Sequence, residues 1–159
     1  RPHSPLDTVV VPARDAWMFY ESNLAYVCQA GRWFQPVERI AFYADQEIKP
    51  EVPRVVHRRD NVPWSEAEAA GLAASADRND RKVAAVIRAS LAAGGASGVN
   101  QVFLLTGPGN PDHRQLARPL THETSGRGTG YVRRQRYVSL HALETATTTA
   151  DLATETSSS

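Results

Sequence analysis

The stretch that most constrains this chain is residues 65–95, SEAEAAGLAASADRNDRKVAAVIRASLAAGG, because once ordered it can only be helical. Alanine and glutamate dominate its first third, behind a Ser65 that suits an N-cap, and Gly71 weakens the middle. In the second part Val83, Val86, Ile87 and Leu91 recur at helical spacing, with Arg81, Lys82 and Arg88 on the opposite face. Asn79 or Asp80 is expected to cap this second helix, and Gly94 with Gly95 to end it.

On either side of this pair the periodicity changes from helical to strand-like. Before it stand DTVVVPA, stopped by Pro12, then LAYVCQA running into Gly31, then VERIAFYAD, then PRVVHRRDNVPW between Pro53 and Pro63. The segment DAWMFYESN reads as a short irregular or helical piece. After the helices come NQVFLLTG as a buried strand, GPGNPDH as a loop, RPLTHET as a short strand, and GYVRRQRYVSL as a last strand. SLHALETA closes as a helix capped by Ser139. Strands, then helices, then strands predict an α+β fold: a curled, mainly antiparallel sheet or small β-barrel with two to four flanking helices.

A chain of 159 residues with 42% hydrophobic content suits one globular domain, placed here at residues 1–146. Residues 147–159 read as a polar, disordered tail. The single Cys28 excludes an internal disulfide and a CxxC zinc or redox site, and reads as a small core residue. No apolar run has the length of a membrane span, so a cytoplasmic, non-membrane protein is expected. The formal net charge of +1 conceals a local excess: residues 113–137 hold six arginines against one acid, Glu123.

The strongest chemical signal is basic and aromatic interleaving on two strands. Arg58 and Arg59 lie on one, beside Trp64; Tyr131, Arg133, Arg134, Arg136 and Tyr137 lie on the other, preceded by the glycine-rich SGRGTG with Arg127. Guanidinium forks pair with phosphates or guanine edges and aromatic rings stack on exposed bases, so these residues together suit contact with DNA or RNA. The plainer alternative is a solvated edge that blocks sheet-to-sheet aggregation. In the last strand neither face is cleanly apolar, which predicts a bulge near Gln135 or an edge position, with at least two of Arg133, Arg134 and Arg136 exposed.

Other patterns carry less. Asp45, Glu47 and Lys49 form an E-x-K spacing of the kind metal-dependent nucleases use, but it falls where the strand breaks into KPEVP. LLTGPGNPDH follows a strand without a GxGxxG or GK[ST] pattern, which makes it an ordinary turn. The five histidines show no HxxxH or HExxH spacing, so no metal site and no cofactor are expected. His122 and Glu123 are strand neighbours facing opposite ways, which counts against an acid–base dyad.

TVVVPA, the Trp17 segment, VERIAFYAD and PRVVHRRDNV together resemble the layout of PUA-like domains, the superfamily that includes EVE and ASCH domains. The similar pieces are Ile40, Phe42 and Tyr43, then Val55, Val56 and His57, over roughly the first 65 residues. The resemblance implies a small curled barrel that binds RNA or DNA, in some members holding a flipped or modified base. The expected function is a nucleic-acid-binding module, a modified-base reader serving a fused or neighbouring enzyme of restriction, repair or RNA processing. The alternatives are a small metal-dependent nuclease and a non-enzymatic protein-interaction domain.

Overall fold

The computed structural model describes residues 5–32, 36–123 and 135–152. Its elements in chain order are β1 (Thr8–Pro12), α1 (Arg14–Asn23), β2 (Ala25–Gln29), β3 (Arg39–Ala44), β4 (Glu47–Ile48), β5 (Glu51–Val52) and β6 (Val55–Pro63). There follow α2 (Glu66–Ala73), α3 (Arg78–Ala93), β7 (Val99–Leu105), β8 (Arg114–Gln115), β9 (Leu120–Thr121), β10 (Arg136–Val138), α4 (Leu140–Thr145) and a 3-10 turn, Thr149–Leu152. The fold is α+β, with a curled mixed sheet and four helices among the described residues. None of these helices is long and apolar enough to cross a membrane.

Within the chain two compact units can be distinguished. One comprises Arg1–Met18, Gln35–Val55 and Thr106–Ser159, the other Phe19–Phe34 and Val56–Leu105. Both are built from separated segments, so no linker or composition shift marks them in the sequence.

In the first unit the sheet order is β10-β1-β3-β4-β9, with β5 and β8 forming a separate pair. β1 and β3 run parallel, Val9 opposite Ile40 and Val11 opposite Phe42, while β10, β4 and β9 join antiparallel. Parallel central strands are buried on both faces, and this explains the uninterrupted TVVV and IAFYA runs, in which Val9, Val10, Val11, Ile40, Ala41 and Phe42 are all at most 1% exposed. One face carries Val10, Ala41, Tyr43, Ile48, Val138, Leu143 and Leu152. On the other, the Trp17 ring of α1 meets Phe42 at 5.8 Å between centroids. Each such large apolar side chain contributes about 1.5–3 kcal/mol on burial.

The stretch assigned from sequence to a disordered tail starts within this unit. Leu152 is 0% exposed, and Thr149 Oγ1 accepts from the Glu123 backbone N–H at 2.8 Å. One apolar residue in polar surroundings suffices to dock the turn. Among the described residues β10 lies at the end of the sheet; Arg136 on it is half-buried, and the expected exposure of Arg133 and Arg134 falls outside the described residues.

In the second unit β2, β7 and β6 form a three-stranded sheet backed by α2 and α3. β2 and β7 pair antiparallel, Cys28 opposite Gln101 and Tyr26 opposite Phe103. Trp64, Ala69, Val83, Val86, Ile87, Val102 and Leu104 make its core. Ser65 caps α2 by accepting from the Glu68 N–H at 3.1 Å. The cap of α3 is Asp77, not Asn79 or Asp80: its carboxylate accepts from the Asn79 N–H at 2.7 Å, and the helix begins at Arg78, ahead of both candidates. Gly94 ends α3 with φ 70°, the left-handed conformation a glycine C-cap supplies.

Candidate nucleic-acid interface

The HRRDN segment of β6 sends its side chains alternately outward and toward neighbours, and its two arginines have different fates. Arg58 is exposed, yet its guanidinium carbon stands 5.0 Å from the Phe103 ring centroid, and its Nε donates to Gln101 Oε1 at 2.6 Å. Gln101 is 0% exposed, and its Nε2 donates to the Arg32 carbonyl at 3.0 Å and faces Cys28 Sγ at 3.7 Å. A buried amide with both ends engaged is a rigid fixture, and it holds Arg58 over an aromatic ring. Tyr26, tilted against Phe103 at 5.9 Å, extends the same sheet face.

The charges acting on this face at Cys28 are those of Arg32, Arg58 and Asp60, the last accepting from the Gly31 N–H at 3.1 Å. Burial pushes the Tyr26 phenol up to about 12, helped by the Cys28 sulfur and opposed by Arg32. Burial likewise pushes the Cys28 thiol up to about 11 against the lowering pull of Arg32 and of the Gln101 hydrogen bond. Cys28 is therefore an inert thiol in the core, as its isolation in the sequence suggests.

Arg59 is committed elsewhere. It pairs with Asp80 at 2.7 Å and donates to His57 Nε2, tying β6 to α3. Hydrogen bonds from Ser75 and then Arg59 hold the Asp80 carboxyl below its ordinary range, and burial, then Arg59, lowers His57. Trp64, expected as a stacking platform, is 6% exposed, and its Nε1 donates to Ser90 Oγ at 3.0 Å. Its ring faces are spent on the core, so it offers none to a base. An aromatic at the end of a strand reads alike for either role; the burial comes from α3, far away in sequence.

On β10, Arg136 lies opposite Val10 and Tyr137 opposite Val9, both half-buried, and the Tyr137 hydroxyl accepts from Gln135 Nε2 at 2.9 Å. Arg127, Tyr131, Arg133 and Arg134 lie outside the described residues.

The E-x-K stretch forms a tight hairpin between β3 and β4, with Asp45 and Gln46 at φ 55° and 61° as a two-residue turn with both centres left-handed requires. Glu47 and Lys49 do share a side. Lys49 Nζ sits 2.8 Å from Glu47 Oε2 and 3.1 Å from Asp45 Oδ2, above the Trp17 ring at 5.9 Å, and Arg14 approaches Asp45 at 3.5 Å. Burial alone would lower the Lys49 pKa, but the Glu47 and Asp45 hydrogen bonds outweigh it and the net direction is up. Both carboxylates thus have resident cations. Among the described residues no group of three or more His, Cys, Asp or Glu side chains could hold a metal ion.

Sequence reasoning missed Gln101 as the residue that orients Arg58. A glutamine inside the apolar run NQVFLLTG was the available signal, since a polar group in a buried strand requires partners. No protein-family model, curated protein or solved structure matches this chain.

Proposed function

We propose that this chain is a nucleic-acid-binding module, contacting DNA or RNA through arginines presented from its sheets and serving a fused or neighbouring enzyme. The observation that carries this is Arg58: exposed, laid on Phe103 and locked by the fully buried Gln101. Its neighbour Arg59 instead gives its guanidinium to Asp80 at 2.7 Å. Arg58, positioned at the surface through its Nε and beside an aromatic ring, has already lost part of the rotamer entropy that contacting an anion would cost. The resemblance of the first 65 residues to PUA-like domains points the same way, and within that reading a modified base is the ligand to try first.

The test compares the two neighbours by fluorescence anisotropy on a labelled single-stranded oligonucleotide. Arg58→Ala should weaken binding and reduce the slope of log affinity against log salt by about 0.7, the contribution of one single-strand phosphate contact. Arg59→Ala should leave the slope unchanged. Equal effects from the two, or none from Arg58→Ala, would remove Arg58 from the interface.

A further inference from the structure

A second group of arginines lies in the first unit, at residues the sequence does not single out. Arg39 of β3 faces Arg54 across an antiparallel bridge, held by bonds from the Ile40 N–H to the Pro53 carbonyl and from the Val55 N–H to the Glu38 carbonyl. The Arg39 side chain turns inward at 6% exposure and donates to the Val52 carbonyl at 3.0 Å. Val52 is the strand partner of Arg114 on β8. Three guanidinium-bearing residues thus converge on the Val52–Arg54 corner, one buried and two exposed.

Their charges are poorly answered. Arg39 is held below the ordinary arginine range by burial, then by the like charges of Arg114 and Arg54, while Asp7 and Glu38 oppose this without reversing it. Arg54 has only Glu38, at 3.9 Å between half-exposed groups. Arg114 has no hydrogen-bond or ion-pair acceptor among the described residues. Like charges gathered with too little counter-charge are destabilising unless an anion arrives.

Glu51, beside the Val52 that pairs with Arg114, is engaged with other residues. Glu51 takes His113 Nε2 on Oε1 at 2.5 Å and Gln115 Nε2 on Oε2 at 2.7 Å, gripping the residues on both sides of Arg114. His113 Nδ1 in turn meets Thr106 Oγ1 at 3.1 Å, and that oxygen accepts from the Arg54 N–H at 2.9 Å. One polar network, Glu51, His113 and Thr106, therefore fixes the backbone at both exposed arginines and leaves their side chains outside it.

We propose that Arg54 and Arg114, backed by the buried Arg39, form a clamp for a single phosphate of a nucleic-acid backbone. Two guanidiniums on fixed strands can share one tetrahedral anion, and the third charge behind them raises the local potential without contacting solvent. The clamp rests on the nucleic-acid reading above for its ligand, while its anion-binding geometry stands apart from it.

Two measurements separate these. In the first, oligonucleotide affinity is followed against salt for Arg54→Ala, Arg114→Ala and the double variant. Two arginines on one phosphate release one counterion equivalent, so each single variant should lower the slope by up to about 0.7 and the double by no more than about 0.7. Unchanged slopes in all three, with the wild type binding, overturn the clamp and leave the nucleic-acid reading in place. An additive loss of about 1.4 overturns the shared phosphate. In the second, inorganic phosphate is titrated while the arginine Nε–Hε signals are followed by NMR. Shifts at Arg54 and Arg114 uphold the anion site even if no oligonucleotide binds; silent signals overturn it.

Discussion

Two charged corners of the first unit make opposite use of their residues. At the β3–β4 hairpin, Asp45 and Glu47 meet Lys49 and Arg14, and every charge has an opposite within 3.5 Å. At the Val52–Arg54 corner, Arg39, Arg54 and Arg114 collect with one acid at 3.9 Å. A balanced corner lowers the energy of the folded chain by itself; an unbalanced one stores an attraction for something else. On β6, Arg59 pairs with Asp80 while Arg58 is held by Gln101 beside Phe103.

The largest effect expected concerns a residue that the sequence assigned to binding. Trp64→Ala should cost about 3–5 kcal/mol in chemical denaturation, the range for deleting a buried aromatic, because the ring is core and Ser90 loses its donor. A loss below about 1 kcal/mol would restore Trp64 as a candidate stacking residue.

Next comes the comparison of the two corners. Lys49→Ala should destabilise by about 1 kcal/mol, discounted for the exposure of its carboxylate partners, since Asp45 and Glu47 are left facing each other. Arg114→Ala should be neutral or slightly stabilising, since it relieves Arg39. Reversed outcomes, with Arg114 the costly loss, would break the distinction between balanced and unbalanced charge.

The smallest effect is a pH dependence. His57 is held below its ordinary value of 6.5 by burial and then by Arg59, so the unfolded chain takes up a proton first as pH falls. The stability tied to neutral His57 is complete above about pH 6.5 and is lost below it, until the folded imidazole also titrates. His57→Gln should flatten the stability curve between about pH 7 and pH 5. An unchanged curve would mean that another group governs that window.

Much of the architecture was legible because local signals and burial agree. The Ser65 and Ser139 caps, the Gly94 stop and the amphipathic face of Val83, Val86 and Ile87 are all short-range, and each stands where the pattern puts it. The Asp77 cap was missed because Asn79 and Asp80 are equally good capping residues, and only backbone geometry separates them. The site was less legible, since its logic is carried by pairs distant in sequence. Whether Arg59 is free depends on Asp80, whether Arg58 is oriented depends on Gln101, and the isolation of Arg114 depends on what Glu51 binds, 62 and 64 residues away. Composition marks arginines; only partners say which are unspent.

The central claim is that Arg58 and the Arg54–Arg114 pair contact nucleic acid, and the most direct measurement is the anisotropy of a labelled oligonucleotide titrated with the intact chain at low and then rising salt. The expected result is saturable binding whose log affinity falls linearly with log salt, with a slope of at least about 1.4 on single strands, two counterion equivalents, if both arginine sites engage the backbone. Absence of binding to both DNA and RNA at low salt, or binding indifferent to salt, would contradict it.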